Sequence, residues 1–394
     1  MLETTTSSTI NYLRKDSSLH RLMLELLEKA DIRVGGDRPW DMQINGPGLP
    51  ERIFSQGSLG LGEAYTDGLW DVPQLDEFFH RLLKARLDRQ VKPLRLLFHT
   101  WLPRLVNLQT FKRSLHVCNL HYNLNNDFFA AMLDSRMTYT CGYWRSAKTL
   151  DEAQEAKLDL ICRKLKLQPG MRLLDFGCGW GSLMGFAAER YGVECTGVNI
   201  SKEQIKWAKA RYAGWPLEFR LQDYRETTGR FDRVVSVGML DHVGRKNMRT
   251  FMEVAHRCLK DDGLFLLHST ATSGRNNMRD PWIGKYVFPN LDVPSAGQIG
   301  DAVDNLFVIE DLHNFGADYC PTLMAWHKNF EHAWPRFSDK LGKEFSRMFG
   351  KDFYRMWRYY LLSCAGASRA RDIQLWQWVL SKEGVPGGYE RITT

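Results

Sequence analysis

From about residue 150 onward, the chain alternates amphipathic segments with short apolar ones. The spacing of apolar positions predicts helices at 151–166, 182–191, 201–212 and 246–260, and strands at 171–176, 193–198, 217–221, 231–237 and 263–268. Short apolar strands separated by helices are typical of a parallel sheet that is covered on both faces. The pattern therefore predicts an α/β fold with a Rossmann-like sheet.

The first part of the chain has a different pattern. It contains an amphipathic helix from Leu19 to Ala30, short extended pieces around Val34 and Ile44, and the glycine-rich stretch Gly57–Gly62. No Lys-Ser/Thr pair follows these glycines, as a phosphate-binding loop would require, so we predict structural turns there. We expect a smaller, mainly helical and lipid-associated domain at 1–115 and a catalytic domain at 116–394, in which the proline-containing residues 274–303 form an insertion.

Composition adds few constraints. The 394 residues are 44% hydrophobic and 25% charged, which suits a globular protein of two domains. The eight cysteines are scattered, without the close pairs of metal sites or the density of a disulfide scaffold, so we expect reduced thiols and no metal. No secretory leader and no membrane-spanning apolar run is evident, and a cytoplasmic location is expected.

The positive charge is concentrated in one segment. The net charge is +7, while residues 81–113 contain nine Lys or Arg against one acid, Asp88, a local charge of +8. Leucines alternate with these basic residues, as in helices that lie on an anionic membrane surface. A solvated helix that packs its leucines on its own domain is the alternative. Nucleic acid is not an expected partner, because no nucleic-acid-binding module accompanies the segment.

A glycine-rich turn follows the first strand of the predicted sheet. Asp175 comes before Gly177-Cys-Gly-Trp-Gly181, at the edge where parallel α/β sheets bind ligands. The G-x-G-x-G spacing differs from the dinucleotide pattern, and an acid here can accept a hydrogen bond from the ammonium of an amino acid. The turn therefore favours S-adenosylmethionine over NAD, with a purely structural turn as the alternative.

Polar residues also follow the next two strands. Asn199 and Gln204 are placed to bind ribose hydroxyls, and the stretch Gln222-Asp223-Tyr224 offers a carboxylate for the adenine amino group. The complete set of predicted cofactor-binding residues is Tyr139, Thr140, Asp175, Gly177, Cys178, Gly179, Asn199, Gln204, Gln222, Asp223 and Tyr224.

Several longer strings carry a family resemblance. They are Gly57–Tyr65, His121–Asp127, Tyr139–Trp144, Asp175–Gly181, Val237–Gly244, His313–Tyr319 and Cys364–Trp376. In these strings the chain resembles the cyclopropane fatty acyl phospholipid synthases, relatives of the mycolic acid cyclopropane synthases, over nearly its whole length.

The resemblance implies an S-adenosylmethionine-dependent methyltransferase domain that acts on the unsaturated acyl chains of a phospholipid bilayer. The sulfonium methyl group would add to a cis double bond, and loss of a proton would close a cyclopropane ring. It further implies a homodimer at the inner membrane surface. Alternatives are a methyltransferase that leaves a methyl branch or methylates a small amine, and a catalytically weak lipid-binding relative.

The chemistry needs a dry pocket, aromatic faces and a base that does not trap the cation. Tyr139, Tyr143, Trp144, Phe288 and Tyr319 are candidate aromatic faces. The resemblance implies that the base is a bicarbonate held by four catalytic residues, which map onto Cys141, Asp241, His268 and Tyr319.

Cys364 and three departures from the family pattern modify the expected site. Cys364 matches a cysteine proposed as catalytic in the family, and a structural thiol is the alternative reading. Asp241 stands where the family pattern has Glu and is one methylene shorter, and Thr140 and Gly142 replace the commoner Ser and Ala. We expect weaker bicarbonate affinity or an altered product from the shorter acid.

Overall fold

The structure is a computed structural model that describes residues 18–90, 126–274, 280–349 and 352–392. Most of the basic segment, most of the His121–Asp127 string and the predicted domain boundary near residue 115 lie outside the described residues. The described residues form two compact units. Unit 1 draws on Met1–Val106, Met278–Pro289 and Trp326–Asp372, and unit 2 on Asn107–Asn277, Asn290–Ala325 and Ile373–Thr394. Unit 1 thus includes two later segments that the sequence analysis predicted to lie in the catalytic domain at 116–394.

The helices of the described residues are, in chain order, α1 (Ser18–Lys29), α2 (Leu49–Gln56), α3 (Ser58–Thr66), α4 (Leu75–Lys84), α5 (Leu87–Gln90), α6 (Asn126–Met132), α7 (Leu150–Lys164), α8 (Ser182–Tyr191), α9 (Lys202–Arg211), α10 (Leu240–Val243), α11 (Met248–Cys258), α12 (Pro281–Tyr286), α13 (Ala296–Val303), α14 (Tyr319–Phe349) and α15 (Phe353–Arg369). The strands are β1 (Gln43–Ile44), β2 (Trp70–Asp71), β3 (Arg172–Phe176), β4 (Glu194–Asn199), β5 (Leu217–Leu221), β6 (Phe231–Val237), β7 (Leu259–Thr272), β8 (Val308–Asn314) and β9 (Ile373–Ser381). Short 3-10 helices lie at Tyr224–Glu226 and Gly316–Asp318. None of the helices in the described ranges is long and apolar enough to cross a membrane.

Unit 1 is mainly helical, as predicted, but its glycine-rich stretch was misjudged. Gly57–Gly62 does not form successive turns, because Ser58–Thr66 is helix α3 and only Gly57, with φ 62°, separates it from α2. A Cβ on Gly60 would lie 2.2 Å from the carbonyl oxygen of Arg52, and a Cβ on Gly62 would lie 2.4 Å from Trp282 Cδ1. The glycines of α3 are therefore sites of close packing with neighbouring elements of unit 1.

Unit 2 is built on a seven-stranded sheet in the order β5-β4-β3-β6-β7-β9-β8. The strands from β5 to β7 are parallel, which confirms the predicted Rossmann-like α/β fold. The antiparallel pairs of β9 with β7 and with β8 were not predicted. Asp311 of β8 pairs with Val379 of β9, a partner so distant in sequence that the local pattern of either strand does not reveal it.

The sheet is buried on both faces, as its apolar strands require. Successive residues of one strand point to opposite faces, so that Leu174 and Val234 belong to one core cluster while Leu173 and Val235 belong to another. Helices α11 and α13 contribute to the first cluster, and α7, α8 and α9 to the second. This packing fixes β3, β4 and β6 side by side, with their carboxyl ends at one edge.

Candidate active site at the carboxyl ends of the strands

A cavity of about 190 Å³ lies at the carboxyl ends of β3, β4, β5 and β6 in unit 2. All of the residues predicted to bind the cofactor line it: Tyr139, Thr140, Asp175, Gly177, Cys178, Gly179, Asn199, Gln204, Gln222, Asp223 and Tyr224. The fold thus gathers into one cavity residues that come from four separate stretches of the chain.

The glycine-rich turn shapes the floor of this cavity. Gly177, Gly179 and Gly181 have φ values of 79°, 54° and 83°, in the left-handed region that favours glycine. A Cβ on Gly181 would lie 2.8 Å from the ring of Phe219, and Gly181 is the residue from which α8 begins. The chain therefore leaves β3 in a tight turn that exposes its backbone to the cavity.

Asp175 and Lys157 place opposite charges on the cavity wall. Asp175 is 3% exposed and Lys157, on α7, is fully buried. Burial raises the pKa of the Asp175 carboxyl to about 7, although the Lys157 ammonium opposes the rise. Burial likewise lowers the pKa of Lys157 to about 8, against the effect of Asp134, Cys141 and Asp175.

Sequence reasoning missed Lys157. Its signal was a lysine on the same helix face as Ala153, Leu160 and Ile161, all of which are buried. A lysine at such a position costs free energy unless it has a partner or a function.

The polar residues after β4 and β5 are held by one another. The Asn199 side-chain amide donates to Gln204 Oε1 at 2.8 Å. The Asp223 carboxylate accepts from Arg225 Nε at 2.7 Å and from Arg225 Nη2 at 2.8 Å. These bonds hold the side chains at the cavity wall. Asp223 Oδ1 also accepts from the Arg225 N–H at 2.9 Å, so Oδ2 is the carboxylate oxygen that keeps a lone pair for a ligand.

The stretch Tyr139–Trp144 crosses from the cavity into the protein interior. Gln154 Nε2 on α7 donates to the Thr140 carbonyl at 2.7 Å, and Lys157 Nζ donates to Thr140 Oγ1 at 2.8 Å. A Cβ on Gly238, after β6, would lie 2.6 Å from Thr140 Cγ2. Helix α7 holds Thr140 by these hydrogen bonds, and Gly238, which has no side chain, leaves room for it at the cavity wall.

Thr322, on α14, holds the other end of this stretch. Its fully buried hydroxyl accepts from the Gly142 N–H at 3.0 Å and from Trp144 Nε1 at 2.8 Å, and it donates to the Asp318 carbonyl at 2.8 Å. Asp318 Oδ2 accepts from the Trp144 N–H at 2.7 Å. The start of α14, which carries Tyr319, is thereby tied to the segment that carries Cys141.

Cys141, His268 and Tyr319 meet around Phe315. Cys141 and Phe315 belong to one buried cluster, Tyr319 packs against it, and the His268 and Phe315 rings are 5.7 Å apart between centroids. Burial, followed by the negative charge of Asp318, raises the pKa of the Cys141 thiol well above its ordinary value. The thiol therefore stays protonated, with its sulfur 3.2 Å from the Gly142 carbonyl oxygen that accepts from it.

His268 is fully buried and uncharged. Burial, with Lys157 and Lys164 nearby, holds the pKa of its imidazole well below the ordinary value. Its Nδ1 lies 3.3 Å from Gln377 Nε2, and its Nε2 is buried without a hydrogen-bond partner among the described residues. If the Gln377 amide donates to Nδ1, the imidazole proton is on Nε2.

Asp241 lies on α10, three residues after Gly238, whose N–H donates to the His268 carbonyl at 2.9 Å. Burial raises the pKa of the Asp241 carboxyl, and its Oδ1 is buried without a hydrogen-bond partner among the described residues. The backbone carbonyl of Asp241 accepts from the Asp292 N–H at 2.8 Å, which fixes the main chain of α10.

Cys364 belongs to a different unit from the other predicted catalytic residues. It lies on α15 in unit 1, while Cys141, Asp241, His268 and Tyr319 lie in unit 2. Burial, then the charge of Asp280, raises the pKa of the Cys364 thiol to about 12, so it is not a thiolate at neutral pH.

The sequence of the chain is similar to that of a known protein family. Residues 109–378 match the family described as mycolic acid cyclopropane synthetase. The chain is 47% identical over 378 residues to the cyclopropane-fatty-acyl-phospholipid synthase of Escherichia coli strain K12, a match that covers 95% of this chain and 96% of that one.

Two solved structures are similar in fold and sequence. The cyclopropane synthase MmaA2 from Mycobacterium tuberculosis has a TM-score of 0.62 and 29% identity, over 70% of this chain and 100% of that one. The mycolic acid cyclopropane synthase CmaA1, complexed with SAH and CTAB, has a TM-score of 0.63 and 30% identity, over 68% and 98% of the two chains.

The Thr322 hydroxyl generates a stability prediction. Thr322→Val removes the acceptor of the Gly142 and Trp144 donors, so we expect the free energy of unfolding to fall by about 2–4 kcal/mol. Thr322→Ser keeps the hydroxyl and serves as the matched control, with a loss of about 1 kcal/mol for the missing methyl group. Urea unfolding measures both variants. Equal losses in the two would contradict the assigned role of the hydroxyl.

Proposed function

The chain belongs to the mycolic acid cyclopropane synthetase family, and we propose that it transfers a methylene unit from S-adenosylmethionine to the cis double bond of unsaturated phospholipid acyl chains. The observation that carries the proposal is the near full-length likeness to the Escherichia coli phospholipid synthase, which extends beyond the matched family region into the N-terminal residues. The cavity at the strand ends supports it independently, because its residues suit each part of the cofactor.

The cavity fits S-adenosylmethionine by the chemistry of its lining. Asp175 presents a carboxylate for the ammonium of the amino acid part, and Asn199 with Gln204 presents amides for the ribose hydroxyls. Asp223 is held by Arg225, and its Oδ2 keeps a lone pair for the adenine amino group. When bound, the cofactor supplies an electrophilic sulfonium methyl group.

The residues around Phe315 and α10 fit a bicarbonate. His268 Nε2 and Asp241 Oδ1 are buried polar atoms without partners among the described residues, and a small oxyanion that carries one proton offers the kind of hydrogen bond that each lacks. Tyr319 packs against the buried cluster that contains Cys141, and its hydroxyl is a further candidate donor. When bound, bicarbonate supplies the base that the reaction needs.

The chain's own residues keep this base usable. His268 stays neutral, and its Nε2–H can donate to the anion without transferring a proton. The raised pKa of Asp241 allows it to share a proton with a neighbouring anion, so that two negative charges do not face each other. The protonated Cys141 thiol is a poor nucleophile and does not capture a carbocation.

We assign to the buried aromatic side chains the exclusion of water and the stabilisation of positive charge. Tyr143 packs edge-on against Phe315 at 5.3 Å between centroids, and both are buried. Transfer of the methyl group to one alkene carbon leaves a cation on the lipid, and the chain's aromatic quadrupoles stabilise it. The new methyl group then loses a proton to the base, and the electrons of that C–H bond close the ring.

We also propose that the enzyme is a homodimer that meets an anionic membrane surface at the cytoplasmic face. The basic segment 81–113 supports the membrane contact. Two of its described residues are already paired, since Arg81 bonds to Asp31 and Glu77, and Arg86 to Asp372. Any attraction to lipid therefore rests on Lys84 and the basic residues after Arg86.

The function is tested with the full chain, S-adenosylmethionine labelled with carbon-13 in its methyl group, and vesicles of unsaturated anionic phospholipid. We expect the label in the ring CH₂ of a cyclopropane, with loss of the double bond, by NMR and mass spectrometry of the acyl chains. Label in a methyl branch or an exomethylene group would support the methyltransferase alternative. Vesicle binding without label transfer would support a catalytically weak lipid-binding protein.

Matched vesicles provide the controls for this assay. Fully saturated phospholipids should give no labelled product, because they lack the accepting double bond. Raised salt should slow turnover on anionic vesicles, because salt screens the attraction between the basic segment and the anionic lipid. Turnover on zwitterionic vesicles should be unchanged, because it does not depend on that attraction. Equal salt dependence on both would contradict the membrane part of the proposal.

The shorter acid at position 241 gives a prediction of its own. Asp241→Glu restores the reach of the family's usual residue, so we expect the bicarbonate concentration for half-maximal turnover to fall on the order of tenfold or more. Asp241→Asn, of equal length but without the acid, should lose turnover. The measurement is turnover in bicarbonate-depleted buffer with added bicarbonate, and unchanged bicarbonate dependence in Asp241→Glu would contradict the role of Asp241.

A further inference from the structure

Lys157 lines the cofactor cavity with hydrogen-bonding capacity that the protein does not use. Its side chain is fully buried, and its ammonium has three N–H donors. Within the described parts of the chain, its hydrogen bond is to Thr140 Oγ1 at 2.8 Å. No carboxylate of those residues lies within ion-pair distance, whereas the other buried lysine of α7, Lys164, bonds to Asp311 at 3.1 Å.

The acids near Lys157 do not neutralise it by direct contact. Asp134 is buried, and its carboxylate already accepts from the Thr138 N–H at 2.7 Å, the Thr138 hydroxyl at 3.2 Å and the Arg136 N–H at 3.0 Å. Asp175 acts on Lys157 through space and lines the same cavity. Two opposite charges are thus exposed to the cavity without a counter-ion in contact, which is costly in a buried site.

A ligand with a carboxylate and an ammonium on one carbon would satisfy both charges. We infer that Lys157 binds the carboxylate of the cofactor's amino acid part while Asp175 binds its ammonium. The inference rests on the proposed function, which identifies the cofactor. It states that two opposite charges, on Lys157 and Asp175, together recognise the amino acid part of that cofactor. The hydrogen bond from Lys157 to Thr140 places the Thr140 hydroxyl beside the same carboxylate.

A purely structural role for Lys157 makes a different prediction. If Lys157 served only to hold Thr140 and to balance Asp134, its loss would weaken the binding of every ligand of the cavity to a similar degree. A carboxylate-binding role instead weakens only ligands that carry the carboxylate. Two ligands that differ in this group alone therefore separate the roles.

The test is isothermal titration calorimetry on the full chain with S-adenosylhomocysteine and with its decarboxylated analogue, which keeps the ammonium, ribose and adenine. We expect the wild-type protein to prefer S-adenosylhomocysteine by roughly ten- to a hundredfold, the size expected for a charge-assisted hydrogen bond. In Lys157→Met this preference should vanish, with the affinity for the decarboxylated analogue nearly unchanged. A Lys157→Met protein that keeps the preference would overturn the inference.

Lys164→Met is the matched control, because it removes a buried ammonium from the same helix. We expect it to keep the wild-type preference, and loss of the preference in this variant too would overturn the assignment to Lys157. Circular dichroism checks the fold, and Lys157→Gln replaces Lys157→Met if the latter does not fold, with the same expected loss. Failure of the wild-type protein to bind either ligand would overturn the proposed cofactor, whereas binding without a carboxylate preference would overturn only the present inference.

Discussion

The parallel alignment of β3, β4 and β6 is the constraint on which the candidate site depends. Parallel strands end at the same edge of the sheet, so the residues that follow each strand are brought together although they are far apart in sequence. Asp175, Asn199 and Gly238 stand at three such ends. The buried faces of the sheet hold the strands in register, and a slip of one strand would remove its contribution from the cavity.

A second property of the site follows from its burial. Asp175, Asp241, Lys157 and His268 are ionisable groups in a protein interior, and burial shifts the pKa of each toward the neutral form. Such groups are stable there only if a partner satisfies them. Among the described residues, Asp241 Oδ1 and His268 Nε2 have no hydrogen-bond partner, and Lys157 bonds to the neutral hydroxyl of Thr140. The site is therefore arranged for ligands that bring the missing charges and hydrogen bonds, which is what an amino acid zwitterion and a small oxyanion would do.

The sequence predicted the parts of the fold that depend on local pattern. The helices α7, α8, α9 and α11, the strands β3 to β7 and the glycine turn at Gly177–Gly181 follow from apolar spacing and turn chemistry, which act over a few residues. Strands β8 and β9 were missed because their pairing joins distant segments. The helix α3 was missed because its glycines pack against Arg52 and Trp282, contacts that no local pattern reveals.

The candidate site was predictable to a similar extent. The residues at strand ends were predicted because ligands of α/β sheets bind at the carboxyl ends of the strands. Lys157 was missed because its importance lies in what surrounds it in space, and Thr322 because its hydroxyl serves residues more than a hundred positions earlier. The resemblance supplied Cys141, Asp241, His268 and Tyr319, and their placement as bicarbonate ligands stays a prediction.

The central claim is that the cavity holds the amino acid part of the cofactor against an ionised Asp175. The most direct measurement is the affinity for S-adenosylhomocysteine as a function of pH, in the wild-type protein and in Asp175→Asn. Because the pKa of Asp175 is raised to about 7 and a bound ammonium would lower it, affinity should be lost as the pH falls below about 7. The pKa of Lys157, lowered to about 8, sets the upper end of the pH range in which both charges are present. We expect binding to weaken by roughly tenfold between about pH 7.5 and about pH 6 in the wild-type protein, and to stay nearly constant in Asp175→Asn. The same pH dependence in both proteins would contradict the account.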